Sequence, residues 1–155
     1  MGELREQMRS EMVARGYSRS TVGNYLDHIK RFAKHFMRCP SKMGQEEIWE
    51  YQRYLAEETS VGAGYQCLFG YAAKFLYREI LQQPEVVEGL KLPKRPKTLP
   101  VVLSMEEVDR FFAAIKSVKY RAIFGLAYGC GLRVLEICRL KKTDIDSQRM
   151  LVRIR

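Results

Sequence analysis

From Ser20 to Met37, apolar side chains recur at Val22, Tyr25, Leu26, Ile29, Phe32, Ala33 and Phe36. Steps of three and four residues put them on one face of a helix, with polar residues opposite. Upstream, Leu4, Met8 and Met12 predict a shorter helix that Gly16 ends. After the break at Cys39-Pro40-Ser41, the spacing of Ile48, Tyr51 and Leu55 predicts a third helix up to Glu58. The turn "SVGAG" at 60–64 precedes a fourth, carried by Leu68, Ala72, Phe75, Leu76 and Ile80 and stopping before Pro84. Short connections between four helices predict a compact helical domain over residues 1–83.

The pattern then lapses. Residues 84–100, "PEVVEGLKLPKRPKTLP", hold four of the five prolines and four basic residues. Proline cannot continue a helix and pushes its predecessor toward extended backbone, which predicts a linker with a positive face. Helical spacing resumes in a second region, 101–155. Ser104 and Glu107 form a Ser-x-x-Glu capping box before Val108, Phe111, Phe112 and Ile115. "SVKYRAIFGLAY" at 117–128 is apolar on nearly all sides and predicts a buried central helix. "GCG" at 129–131 breaks it, and a short helix is expected from Leu132 to Leu140, with Leu132, Leu135 and Leu140 packed beneath. The turn "KKTDIDSQ" leads into an alternating strand, "MLVRIR", whose ladder groups have no evident partner. The pattern predicts a mainly α chain.

Composition narrows the class. An apolar fraction of 46% with 29% charged residues fits a globular protein rather than a disordered one. No apolar run approaches the roughly 18 residues of a membrane span, and "MGELREQMRSEM" lacks the apolar core of a signal peptide, so a cytoplasmic location is expected. Cys39, Cys67, Cys130 and Cys138 lack zinc-ligand spacing and are expected as buried thiols, with no metal site. The formal charge is +9, distributed as +4 over 1–38, −4 over 39–90 and +9 over 91–155. Basic ends around an acidic middle suit faces that meet a polyanion, though a basic surface without a nucleic-acid role stays equally open on charge alone.

One stretch carries chemistry. In "YGCGLRVLEICRL", residues 128–140, Arg133 and Glu136 stand three apart and share a helix face, with Arg139 next along it. An arginine in a first helical turn opposes the macrodipole by about 0.3–1 kcal/mol. Glu136 can offset that as an intrahelical ion pair, and so can an external phosphate, which a guanidinium grips through two parallel hydrogen bonds. Backbone N–H groups at the start of the helix would point the same way. The residues alone leave both readings open.

"LAYGCGLRVLEICRLKKTDID" resembles the first catalytic-domain motif of the tyrosine recombinases, the phage-integrase type of site-specific recombinase. In that family a Gly-Leu-Arg-x-x-Glu-hydrophobic-x-x-Leu run precedes an Asp-Ile-Asp turn into a strand. "KRPKTLPVVLSMEEVDRFFAAI" is similar to the family's interdomain segment and first catalytic helix, and residues 1–83 to its helical core-binding domain. The resemblance implies a four-helix SAM-like domain followed by the first helices and first strand of an incomplete α+β catalytic domain. It implies double-stranded DNA as partner, faced by helices Ser20–Met37 and Gly64–Gln82, and an assembly of recombinase protomers.

The implied mechanism is attack of a tyrosine hydroxyl on a scissile phosphate. It gives a 3′-phosphotyrosyl link with no nucleotide or metal cofactor, since the phosphodiester energy is kept in the covalent intermediate. Arg133 matches the first of two arginines that stabilise the phosphoryl charge, and Glu136 the acidic neighbour that holds it. The family's lysine hairpin, His-x-x-Arg box and nucleophilic tyrosine come later than Arg155, so this chain is expected to be an N-terminal portion, inactive alone and without a nucleophile. Two His-x-x-Arg strings, His28 to Arg31 and His35 to Arg38, precede Arg133 and are expected as solvated or DNA-facing positions on the second helix. Arg19 and Lys30 on that helix and Lys94, Arg95 and Lys97 in the linker are candidate duplex contacts. A non-catalytic DNA-binding module that interferes with a full-length recombinase, and a basic helical scaffold, are the alternatives.

Overall fold

The structure, a computed structural model, describes residues 2–94 and 99–154. Arg95 and Lys97 therefore lie outside the described residues. The chain forms two compact units, residues 1–97 and 98–155.

In the first unit α1 (Gly2–Ala14), α2 (Arg19–Phe36), α3 (Gln45–Glu57) and α4 (Ala63–Phe75) follow one another, and α4 continues into a π-helical turn, Leu76–Ile80. Local chemistry sets the ends. Gly16 takes a left-handed φ of 76° after α1, and Ser18 caps α2, its Oγ accepting the Thr21 N–H at 3.2 Å. α2 packs between α1 and α4, with α3 against α4. The apolar stripe is buried as the spacing predicts: Val22, Leu26, Ile29, Phe32 and Ala33 meet Met8 and Met12 of α1, Ile48, Tyr51 and Leu55 of α3, and Phe69, Ala72 and Ala73 of α4. Phe32 stands at the centre, its ring 5.3 Å from Tyr51 and 5.4 Å from Phe69. The buried Tyr77 hydroxyl donates to the Pro40 carbonyl at 2.8 Å, tying the α2–α3 connection to the end of α4.

The first part of the expected linker packs on the helices. Pro84 opens a 3-10 turn, Pro84–Val87, and Val87 and Leu90 are buried in the helical core. Proline is well suited to the first position of such a turn, and the left-handed Gly89 (φ 74°) turns the chain so that both apolar side chains point inward.

The second unit holds α5 (Met105–Ala114), α6 (Val118–Cys130), α7 (Val134–Arg139) and the antiparallel pair β1 (Ile145–Asp146) and β2 (Leu151–Val152), with Ile145 opposite Val152. Ser104 caps α5 reciprocally: its N–H donates to Glu107 Oε2 at 2.8 Å and its Oγ accepts the Glu107 N–H at 3.3 Å. α5 and α6 meet through aromatic edges, Phe111 on Phe124 at 5.1 Å and Phe112 on Tyr128 at 6.0 Å. Three expectations fail here. α6 buries none of its residues. Leu135 is exposed, and α7 is anchored instead by Ile137, with Leu132 buried just before it. The strand does have a partner, Ile145–Asp146, two residues too few to register as a strand by alternation. Among the cysteines only Cys67 is buried; Cys39 is half-buried, and Cys130 and Cys138 are exposed.

Candidate functional site

Arg133 is the residue immediately before α7 rather than part of its first turn, with extended backbone (φ −72°, ψ 150°). The reason lies in the glycines. α6 runs on through Gly129 to Cys130, and Gly131 ends it in the left-handed region at φ 64°, so Leu132 and Arg133 bridge to the next helix. Glu136, at the third position of α7, then holds Arg133 twice: Oε2 accepts the Arg133 backbone N–H at 2.7 Å and Oε1 the Nη1 donor at 3.0 Å. Only half of a capping box forms, because a guanidinium has no acceptor to offer the helix in return.

The two bonds have a direction. The backbone N–H first, then the guanidinium, hold the Glu136 carboxyl below its ordinary value, so it is anionic at neutral pH. Its side chain is 27% exposed, whereas that of Arg133 is 85% exposed. Among the described residues Glu136 is the one side-chain partner of Arg133. The carboxylate thus fixes one edge of the guanidinium and leaves the others facing solvent, available for a bidentate grip on a phosphate. With only six residues, α7 is too short for its backbone N–H groups to form an anion site of their own.

The candidate duplex contacts of the helical unit divide between two sides of α2. Arg19 is exposed at its start. Lys30 lies on the α1 side, with Arg5 at the rim of an apolar groove of about 190 Å³ lined by Leu4, Met8, Leu26 and Ile29. On the opposite side, Arg31, Lys34 and His35 border a groove of about 430 Å³ with Tyr51, Tyr54 and Tyr65. Arg31 is bridged to Asp27 at 2.7 Å, an exposed pair of little energetic weight. Burial pushes the Tyr51 hydroxyl up to about 12, so it remains a neutral donor. Sequence reasoning missed Arg31 and Lys34 as a set. Their three-residue spacing was readable, but the tyrosines beside them come from α3 and α4. Lys94 is exposed at the end of the first described stretch.

The two histidine strings part company. His35 is exposed and packs on Tyr54 at 4.3 Å. His28 is not a solvated position: it is 6% exposed, its ring 4.3 Å from Tyr65, and burial lowers its pKa. The corresponding arginines, Arg31 and Arg38, are engaged by Asp27 and Glu47.

Residues 4–85 match the family model for the phage integrase N-terminal SAM-like domain, and residues 101–155 that of the phage integrase family. The chain belongs to the phage integrase family of tyrosine recombinases. It is 39% identical over 155 residues to the putative integrase/recombinase y4qK of Sinorhizobium fredii, covering 99% of this chain and 50% of that one. To the tyrosine recombinase XerA of Thermococcus onnurineus it is 31% identical, covering 100% of this chain and 54% of the relative. The crystal structure of a XerA recombinase matches with a TM-score of 0.51 and 28% identity, over 99% of this chain and 55% of that one. The chain thus spans about half the length of the curated relatives it matches. Its mainly α architecture, a SAM-like helical unit followed by part of a catalytic domain, is the tyrosine recombinase arrangement, and the Arg133–Glu136 pair falls inside the catalytic-domain match.

Proposed function

We propose that this chain is the DNA-binding portion of a site-specific tyrosine recombinase and carries one corner of its phosphate site. The supporting observation is the Arg133 guanidinium, held at one edge by an anionic Glu136 and exposed at the others. In this reading Arg133 grips the non-bridging oxygens of the scissile phosphate, and Glu136 is the positioning residue. As a tyrosine oxygen bonds to phosphorus and the bond to the 5′ oxygen breaks, charge builds on those oxygens, where a preorganised cation acts most strongly. The tyrosine, the second arginine, the lysine and the histidine belong to sequence equivalent to the downstream half of the relatives.

The helical unit supplies duplex affinity through Arg19, Lys30, Arg31 and Lys34, and Lys94, Arg95 and Lys97 add phosphate contacts. The exposed apolar side chains of α5 and α6 support association with a polypeptide that carries the downstream half, or with a full-length relative on DNA. Alone, the same chain is a non-catalytic module that competes for a recombinase site.

A fusion of this chain to the downstream half of its y4qK relative tests the assignment on a nicked suicide duplex bearing that relative's crossover site. The fusion is expected to form a covalent protein–DNA complex on denaturing gels, and the 155-residue chain none. Arg133→Ala is expected to lower the rate of complex formation by about 10²–10³-fold, the scale for losing one charge-stabilising donor. An Arg133→Ala fusion that cleaves at the parent rate removes Arg133 from the site.

A further inference from the structure

The helical-domain match ends at residue 85, yet the chain stays on the helices to Pro93. Gln45 and Gln52 stand seven residues apart, two turns along one face of α3. Gln45 Nε2 donates to the Glu88 carbonyl at 2.9 Å, and Gln52 Nε2 to the Lys91 carbonyl at 2.6 Å. Cys67 and Gly70 are three apart on α4. The buried Cys67 thiol donates to the Pro93 carbonyl at 3.3 Å. Gly70 has no side chain where Leu92 lies, and a methyl group there would collide with Leu92 Cδ2. Beneath these contacts Val87 and Leu90 are buried in the core.

Backbone carbonyls at 88, 91 and 93 are thus held by side chains from two different helices, and a leucine is seated over a glycine. Such a set is unlike a free proline-rich linker, whose backbone would be hydrated. We propose that residues 84–93 are a strap fastened across α3 and α4, and that Gly70, Gln52 and Gln45 are positioning residues that fix where Lys91 and Lys94 stand on the helical unit. The proposal rests on the duplex-binding reading for its purpose and on none of it for the strap itself. A fastened strap holds two cations at set places on the surface that a loose linker would spread, so less ordering accompanies each phosphate contact.

The test uses the whole 155-residue chain. Limited trypsin digestion reads the strap without DNA, through the rate of cleavage after Lys91. A salt series on a duplex reads the positioning. Gly70→Ala is expected to drive Leu92 from its seat, although alanine suits a helix interior better than glycine. Cleavage after Lys91 should rise at least about tenfold while the helical unfolding midpoint holds, and the salt slope of duplex binding should fall by about 2, near 0.9 for each of two phosphate contacts. Adding Leu92→Ala removes the collision and should restore protection. Gln52→Leu, at a half-buried position of α3, should loosen the strap independently by severalfold. Cleavage after Lys91 in the parent chain as fast as in Gly70→Ala overturns the strap. A loosened strap with an unchanged salt slope overturns the positioning role. A parent chain that is protected at Lys91 but binds no duplex leaves the strap standing and refutes the duplex-binding reading instead.

Discussion

Helix α2 buries Val22, Leu26, Ile29, Phe32 and Ala33, whereas α6, the more apolar of the two, buries no residue. Val118, Tyr120, Phe124 and Tyr128 of α6 all stand open, as do Val102, Leu103 and Met105 ahead of and at the start of α5. The difference lies in what surrounds each helix. α2 meets α1, α4 and the aromatic rings of α3, so its stripe closes a core; α6 meets α5 along one edge and reaches α7 at its end. A hydrophobic pattern specifies the surface a helix needs, and only packing supplies it. In the second unit the pattern asks for more partner surface than its own elements offer, leaving an apolar groove of about 420 Å³ along Phe111, Phe112, Phe124 and Tyr128.

The largest test of this contrast is truncation of one aromatic residue in each unit. Phe32→Ala removes a wholly buried ring from the centre of a closed core and is expected to cost about 3–5 kcal/mol in urea unfolding of the helical unit. Phe124→Ala, at a ring that is 41% exposed, is expected to cost under about 1 kcal/mol in the same chain. Equal losses would mean that the second unit packs as tightly as the first.

A smaller effect sharpens the contrast through pH. Burial lowers the His28 pKa from its ordinary 6.5, so the folded helical unit binds that proton less readily than the unfolded chain. The stability tied to neutral His28 is therefore complete above about 6.5 and declines as pH falls through the lowered folded value. The urea midpoint of the helical unit should drop between pH 7.5 and 5.5, and His28→Gln should flatten that drop. In the second unit Glu136 is held below its ordinary value; its contribution persists down to the ordinary carboxylate value of 4.5 and is lost only as pH falls further, through its lower folded value. A midpoint indifferent to pH across 7.5–5.5 would show that His28 is solvated after all.

What was legible in the sequence was local and periodic. The stripe of α2 and the reciprocal Ser104–Glu107 cap follow from spacing alone, and the structure reproduces both. The Arg133–Glu136 contact was legible too, although its setting was not. A helix boundary shifts by a residue or two at no cost to the pattern, and here Gly131 moves Arg133 from the first turn to the position before it. The misses depend on distant partners. His28 is buried by Tyr65, 37 positions away in the chain. Val87 and Leu90 lie in a proline-broken run where no period is sustained, and their burial needs the Gly89 turn. β1 is two residues long and becomes a strand only through Leu151 and Val152.

The central claim, that this chain is the duplex-binding part of a tyrosine recombinase, is tested most directly by titrating a labelled duplex with the 155-residue chain across about 50–300 mM salt. A protein neutralising several phosphates should show the logarithm of its binding constant falling linearly with the logarithm of salt, with a slope of about −3 to −6. Denaturing gels of the same samples should show no covalent complex. No binding at about 50 mM salt, or an affinity indifferent to salt, would contradict the account and leave a basic helical scaffold in its place.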